Sequence, residues 1–289
     1  MAPAPTRGTF RFDKYRAVMV ALRESGEPIT EHAPQPMPRT WLEAVHDPAY
    51  VAEVFAAAVP AIKERRIGFP VTPHIAARVA HTSGGTWLAA QLARRHGYAA
   101  NSAAGSHHAL HDTGAGYCVF NDLAVTASRL LAEGDARRVL IVDLDVHQGD
   151  GTASLLAGRE GCATYSIHAE KNFPVRKARS TLDVPLSDGI GDDEYLSVLE
   201  WTLAPMLDDF APDLILYQAG VDPFAGDRLG RLAVSEDGLV ARERLVAGLA
   251  RTRGVPLAST VGGGYGDDVM AIARRHVRAI LTLGEAFAR

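Results

Sequence analysis

The segment Asp143-Leu-Asp-Val-His-Gln-Gly-Asp-Gly151 gathers four acidic or imidazole groups within eight residues. It follows an apolar run, Arg138-Val-Leu-Ile-Val-Asp-Leu-Asp145. Asp145 and His147 stand two apart, so an extended backbone points both to one side. That pairs a carboxylate with an imidazole, the donors a metal site uses. Asp143 points the same way and can support a ligand from behind. Gly149 and Gly151 are expected to let the chain turn sharply around Asp150. A polar turn after a strand is the plain alternative. Burying four such groups, however, requires partners or an ion, which favours a site.

Three further clusters carry usable chemistry. Gly105-Ser-His-His108 could be an exposed polar loop. It could equally supply two imidazoles that act on water as general base and general acid. Each would need an orienting carboxylate, and Asp143 and Asp150 are available. Gln218-Ala-Gly-Val-Asp-Pro223 offers Asp222, either a turn aspartate before proline or the third ligand beside Asp145 and His147. Val261-Gly-Gly-Gly-Tyr-Gly266 brings backbone close to something and presents Tyr265. It lacks both the Lys-Ser/Thr ending of a P-loop and a dinucleotide fingerprint. A tyrosine hydroxyl can stabilise a developing oxyanion; the alternative for a lone tyrosine is core packing.

These clusters follow β-rich runs, and that relation predicts the elements that hold them. Asp213–Ala219, Val255–Val261 and Ala163–Ile167 read as strands, like Arg138–Asp145. Between them lie helical patterns over Ala124–Glu133, Asp193–Phe210 and Ser235–Arg253. Two more precede them, Lys14–Ser25 and Thr40–Ala58, separated by the Pro-rich loop Ala33-Pro-Gln-Pro-Met-Pro38. Continuous apolar strands alternating with helices predict an α/β fold. Its central sheet is mostly parallel and has helices on both faces. In such sheets ligands bind beyond the carboxyl ends of the strands, where the polar clusters fall. No composition break divides the chain, so residues 1–289 are expected to form one catalytic domain, with 1–10 flexible.

Composition bounds the function. The chain has 289 residues, 47% apolar and 22% charged, enough for a substantial core. Its net charge of -4 disfavours a dedicated nucleic-acid binder. Two cysteines, Cys118 and Cys162, make neither a disulfide scaffold nor a four-cysteine zinc site. No segment approaches the roughly 18 apolar residues of a membrane span, and the Pro-rich start lacks the apolar stretch of a secretory signal. A cytoplasmic protein without membrane partners is expected. Eleven histidines stand out more than the charge does.

Taken in order, the clusters resemble those of the histone deacetylase family of the arginase-deacetylase superfamily. The resemblance runs from about Phe12 to the C-terminal helix. It rests on Gly105-Ser-His-His108, Gly116-Tyr-Cys-Val-Phe-Asn-Asp122, Asp143–Gly151, Ala219-Gly-Val-Asp-Pro223 and Gly262-Gly-Gly-Tyr265. It implies that Asp145, His147 and Asp222 are metal ligands. It implies that His107 and His108 are the tandem histidines beside the hydrolytic water, backed by Asp143 and Asp150 respectively. Tyr265 is similar to the tyrosine that hydrogen-bonds the amide oxygen. Tyr117 and Phe173 resemble aromatic walls of an acyl-lysine channel, and Leu229 an apolar residue near its bottom. Asp143, Asp145, His147, Ser166 and Ile167 resemble the positions that hold a structural potassium ion, partly through backbone carbonyls.

The sequence also departs from the common pattern. Gln148 stands where many relatives have a second histidine, and Ala104 where they often place another glycine. Asp222-Pro-Phe-Ala-Gly-Asp-Arg-Leu-Gly230, with Gly191-Asp-Asp-Glu-Tyr195 upstream, looks more like the class IV branch and its bacterial relatives. The implied activity is zinc-dependent removal of an acyl group, acetyl or longer, from lysine side chains of proteins or peptides. Ferrous iron is an alternative metal for an Asp₂His donor set. An acetylpolyamine or other small acyl-amine deacetylase is the enzymatic alternative. A catalytically silent, metal-bound acyl-lysine binder is the non-enzymatic one. Either a monomer or a small homo-oligomer is compatible with the sequence.

Overall fold

A computed structural model describes residues 10–288. In chain order the elements are α1 (Asp13–Glu24), α2 (Arg39–Glu43), α3 (Pro48–Phe55), α4 (Ala61–Ile67), α5 (Pro73–His96), β1 (Tyr98–Asn101), α6 (Asp122–Ala132), β2 (Val139–Asp143), α7 (Asp150–Leu156), β3 (Cys162–Ala169), β4 (Leu182–Leu186), α8 (Asp192–Phe210), β5 (Leu214–Gln218), α9 (Glu236–Thr252), β6 (Leu257–Thr260) and α10 (Val269–Ala288). The six strands form one sheet in the order β1-β6-β5-β2-β3-β4, and every pairing is parallel. The sheet is thus wholly parallel among the described residues, within the α/β class that the strand pattern predicts.

The reason lies in the strands themselves. In β2, Val139 and Ile141 join one core layer with α5 and α6. Leu140 and Val142 join the opposite layer with α8 and α9. Both faces are covered, so the strand must be apolar throughout, and its five residues are buried. A third, smaller cluster packs α1 onto α10 through Val18, Leu22, Ala273 and Val277.

Parallel pairing puts every strand's carboxyl end on one edge. From β2 the chain continues to β3 and β4 on one side, then returns to place β5 on the other. The order therefore reverses between β2 and β5, which opens a crevice at that edge. The loops after β2, β5, β6 and β1 all empty into it.

Local differences from the sequence reading have identifiable causes. The helix expected over Thr40–Ala58 is two helices, α2 and α3. Pro48 excludes Asp47 from helical backbone, and Asp47 instead caps α3, its Oδ1 accepting from Ala49 N–H at 2.7 Å. Strands β1 and β4 and helices α4, α5 and α7 are additional elements. The flexibility expected for residues 1–10 lies outside the described residues except at Phe10. That residue is packed, its ring stacked on Tyr117 with centroids 4.9 Å apart. Among the described residues, no helix is long and apolar enough to cross a membrane.

Candidate active site

Asp145, His147 and Asp222 converge in the crevice, with one ligand-type atom from each lying within 4.8 Å of the others. All three are buried. Asp145 and His147 lie just beyond β2, so the strand pleat does not align them. Instead Asp145 Oδ1 accepts from the His147 backbone N–H at 3.1 Å and lies 2.9 Å from His147 Nδ1. Backbone N–H groups tie two further carboxylate oxygens across loops. Gly263 N–H donates to Asp145 Oδ2 at 2.8 Å, and Val146 N–H to Asp222 Oδ1 at 2.9 Å. Gly263 is required by this approach, since a Cβ there would run into both carboxylates.

Asp222 Oδ2 is buried and accepts no hydrogen bond, although His147 Nδ1 is 3.2 Å away. Burial and the neighbouring Asp145 charge push its carboxyl up to about 7. Burial disfavours the His147 imidazolium, yet Asp145 and Asp222 overcome this and hold its pKa up to about 10. Two carboxylates and an imidazole that converge around an orphaned oxygen fit a divalent cation.

Two histidine–carboxylate pairs flank these donors. His107 Nδ1 lies 2.7 Å from Asp143 Oδ2, and His108 Nδ1 lies 2.7 Å from Asp150 Oδ1. The two imidazole centroids are 3.9 Å apart. Their surroundings separate them. Burial opposes charge on His107, but Asp143 and Asp145 outweigh it and raise its pKa to about 9. Burial and the adjacent His107 lower His108 to about 4, against its bond to Asp150. Two carboxylates face one ring and a single carboxylate the other, so the proton resides on His107 first.

The aromatic residues surround the same point. The Phe173 ring meets His108 edge-on at 4.7 Å. The Tyr265 ring lies 6.1 Å from both His147 and Tyr117. Burial and the carboxylates of Asp145 and Asp222 hold the Tyr265 phenol well above its ordinary pKa, so it remains a hydrogen-bond donor at neutral pH. Tyr117 adopts a left-handed backbone, φ 67°, pinned by its N–H to Ile67 O at 2.8 Å. Such a conformation in a non-glycine residue costs on the order of 1–3 kcal/mol and concentrates at functional sites. Leu229 is half-buried, and its carbonyl accepts from Asn172 Nδ2 at 2.8 Å, which joins its loop to that of Phe173.

Several supporting residues were not singled out in the sequence. Asp122 accepts from Ser106 N–H at 2.7 Å and Thr86 Oγ1 at 2.6 Å, shaping the tandem-histidine loop. Gln218 donates to Gly105 O at 2.8 Å and accepts from Thr260 Oγ1 at 2.8 Å. Lys14, buried on α1, donates to Gly262 O at 2.9 Å. Asp122 and Gln218 sit inside the motifs already noted, and that was the available signal. Lys14 carries no such signal.

The histone deacetylase domain family matches residues 9–281 of the chain. The chain belongs to the histone deacetylase family. It is accordingly a hydrolase of the deacetylase type that acts on amide bonds. An uncharacterized protein of Picosynechococcus sp. is 43% identical over 278 residues, covering 96% of this chain and 93% of the relative. Histone deacetylase 2 of Arabidopsis thaliana is 36% identical over 63% of this chain. The histone deacetylase-like amidohydrolase of Pseudomonas aeruginosa is 32% identical over 56%. These alignments span 48% and 46% of the Arabidopsis and Pseudomonas proteins, about half their length. The fold matches the HDA15 HD domain, with a TM-score of 0.82, 23% identity and coverage of 99% of this chain and 86% of the other. It also matches an acetylpolyamine aminohydrolase from Burkholderia pseudomallei, with a TM-score of 0.79, 20% identity and coverage of 100% and 95%.

The family setting gives meaning to the departures. Gln148 donates to Asp183 Oδ1 at 2.7 Å and accepts from Ala178 N–H at 2.8 Å. It thus anchors the distal end of the Phe173 loop. The chain turns tightly just before Asp150, with Gly149 at φ -74° and ψ 66° and the Asp150 N–H donating to Gln148 O at 2.8 Å. This backbone does not require glycine, however, and Gly151 lies inside α7. Their role is close approach, since a Cβ would strike Asp143 Oδ2 at the first and the Ala109 carbonyl at the second. Ser166 and Ile167 lie on β3, with Ser166 paired to Asp143 across the β2–β3 ladder.

Proposed function

We propose that this chain is a zinc-dependent deacylase that removes acetyl or longer acyl groups from lysine side chains of proteins or peptides. One observation carries the reading: the Asp145–His147–Asp222 donor set adjoins two separate histidine–carboxylate pairs in a single crevice. Zinc held by these donors supplies Lewis-acid polarisation of the amide carbonyl and lowers the pKa of the hydrolytic water. Ferrous iron suits the same donors.

The chain's own residues do the rest. His108 is the base: it is neutral, its Nδ1–H is fixed on Asp150, and its Nε2 is free to accept the proton of water. His107, steadied by Asp143, holds the proton that the leaving amine takes. The Tyr265 hydroxyl donates to the oxyanion as the carbonyl becomes tetrahedral. Tyr117 and Phe173 wall the lysine methylenes, and Leu229 closes the apolar surface. A potassium ion beside β2 and β3, held by Asp143, Asp145, His147, Ser166 and Ile167 in part through carbonyls, would brace the ligand loop. The likeness of residues 222–230 and 191–195 to the class IV branch and its bacterial relatives supports a subclass assignment there.

The test is a panel of acetyl- and octanoyl-lysine peptides and acetylated polyamines, compared by kcat/KM. Chelator-sensitive turnover that is highest on an acyl-lysine peptide is expected. Higher efficiency on the polyamines, or no turnover of any acyl-lysine after zinc or iron loading, would overturn the reading.

A further inference from the structure

The loop that carries Phe173 also carries charge of one sign. Residues 170–179 set Lys171, Arg176, Lys177 and Arg179 against Glu170 alone, in a chain whose net charge is -4. Beside this loop lies a cavity of about 410 Å³, lined by Phe173, Leu110, Arg66, Arg176, Lys177 and Asp150 among others. Asp150 is its single carboxylate, and that group is committed to His108 at 2.7 Å. Lys177 Nζ donates to the carbonyls of Asn172 and Pro174 at 2.6 and 2.7 Å, which holds the loop in shape. Arg66 and Arg176 are exposed and make no ion pair or side-chain hydrogen bond among the described residues.

The cavity adjoins the reaction centre. Phe173 lines it with one part of its surface and meets His108 edge-on at 4.7 Å. Arg66 is fixed on the other side, where its carbonyl accepts from Gly116 N–H at 3.0 Å, next to Tyr117. A lysine threaded past Tyr117 and Phe173 therefore carries its flanking groups over two unpaired guanidinium groups. We propose that this cavity is a subsite for an anionic group of the substrate, a carboxylate side chain flanking the acyl-lysine in the peptide. Guanidinium groups bind carboxylates bidentately. Cations at a site mouth also steer anions inward and repel cations, so acidic peptides are favoured and polyamines disfavoured.

This inference deepens the deacylase reading and rests on it for the substrate's acyl-lysine. The experiment uses acetyl-lysine peptides of one length flanked by Glu, Gln or Lys. Both Kd, by fluorescence anisotropy, and kcat/KM are measured at ~0.05 M and ~0.5 M salt. The proteins are wild type, Arg66→Glu, Arg176→Glu and the double variant. The Glu-flanked peptide is expected to bind about fivefold tighter than the Gln-flanked one at low salt and about equally at high salt. The double variant should reverse that order while leaving kcat on the Gln-flanked peptide unchanged. Equal Kd values in wild type, or a Glu preference that survives the double reversal, overturn the subsite. A Glu preference in Kd without turnover of any peptide supports the subsite and sinks the deacylase reading. Competition by a single-stranded oligonucleotide below the Kd of the Glu-flanked peptide, lost in the double variant, would reassign the patch to nucleic acid.

Discussion

Arg242 Nη1 donates to the Gly220 carbonyl at 2.8 Å. The same nitrogen lies 3.2 Å from the carbonyl of Leu144. Gly220 precedes the proposed ligand Asp222 by two residues, and Leu144 sits between Asp143 and Asp145. One fully buried guanidinium on α9 thus braces both loops that carry the candidate donors. Its charge is balanced by Glu243, which bonds its Nε and Nη2 and accepts the Tyr217 hydroxyl at 2.7 Å. Burial works against the charged Arg242, but Glu243 overrides it and keeps the pKa well above the ordinary value.

Removing the guanidinium should therefore damage stability and metal binding by separable routes. Arg242→Met leaves Glu243 buried and uncompensated, at a cost of about 3–5 kcal/mol. Adding Glu243→Leu removes the stranded charge, so the double variant should regain part of that loss. Its two ligand loops still lack their brace, and zinc affinity should stay at least about tenfold weaker than wild type, the scale of a lost supporting contact. Chemical denaturation reads the first effect and competition with a chromophoric chelator the second. Wild-type zinc affinity in the double variant would mean that Arg242 serves folding alone.

The ligand assignment makes its own prediction. Asp222 carries the orphaned buried oxygen, so Asp222→Ala should eliminate stoichiometric metal retention after dialysis, as read by elemental analysis. Arg231→Ala, which removes an exposed ion pair with Asp188, is the control and should retain the metal. Undiminished metal content in Asp222→Ala would place the cation elsewhere.

Tyr265→Phe deletes one hydroxyl and leaves the ring against His147 and Tyr117. If the hydroxyl donates to the oxyanion, kcat should fall by about 10²–10³-fold, or about 2.7–4 kcal/mol of barrier, with KM nearly unchanged. A matching rise in KM with unaltered kcat would instead make Tyr265 a substrate-binding residue.

Why the acidic cluster is legible in the sequence and its brace is not follows from the physics of each. The apolar run of β2 ends abruptly in carboxylates, a contrast visible in one dimension. Arg242 lies in Ala-Arg-Glu-Arg244 on α9, where only tertiary packing decides that Arg242 turns inward and Arg244 does not. Helix α5 has an interior of small residues, including Gly84 and Gly85. A Cβ would strike the Gln35 carbonyl at the first and Asn101 at the second. Those glycines permit close packing but weaken both propensity and periodicity. Strand β4 is a five-residue edge strand containing Pro185, a residue that argues against a strand when position in the sheet is unknown. The cationic cavity joins α4 to residues 170–179, a juxtaposition that exists only in the folded chain.

His46 should make stability fall in acid. Its Nδ1 lies 2.8 Å from Leu110 O, and its Nε2 accepts from Asn121 N–H at 2.9 Å, so only the neutral ring satisfies both partners. Burial lowers its pKa from 6.5 to about 4, against the favourable bond to Leu110. Between those values the unfolded chain binds a proton that the folded chain refuses, so unfolding becomes easier as pH falls. The contribution is fully present above pH 6.5 and diminishes toward pH 4, by about 3 kcal/mol in all. Denaturant titrations across this window should show a shallower slope for His46→Gln than for wild type. That variant should also be less stable at pH 7, because one side-chain amide cannot span both partners of the ring. Identical slopes in the two proteins would show that His46 does not govern this window.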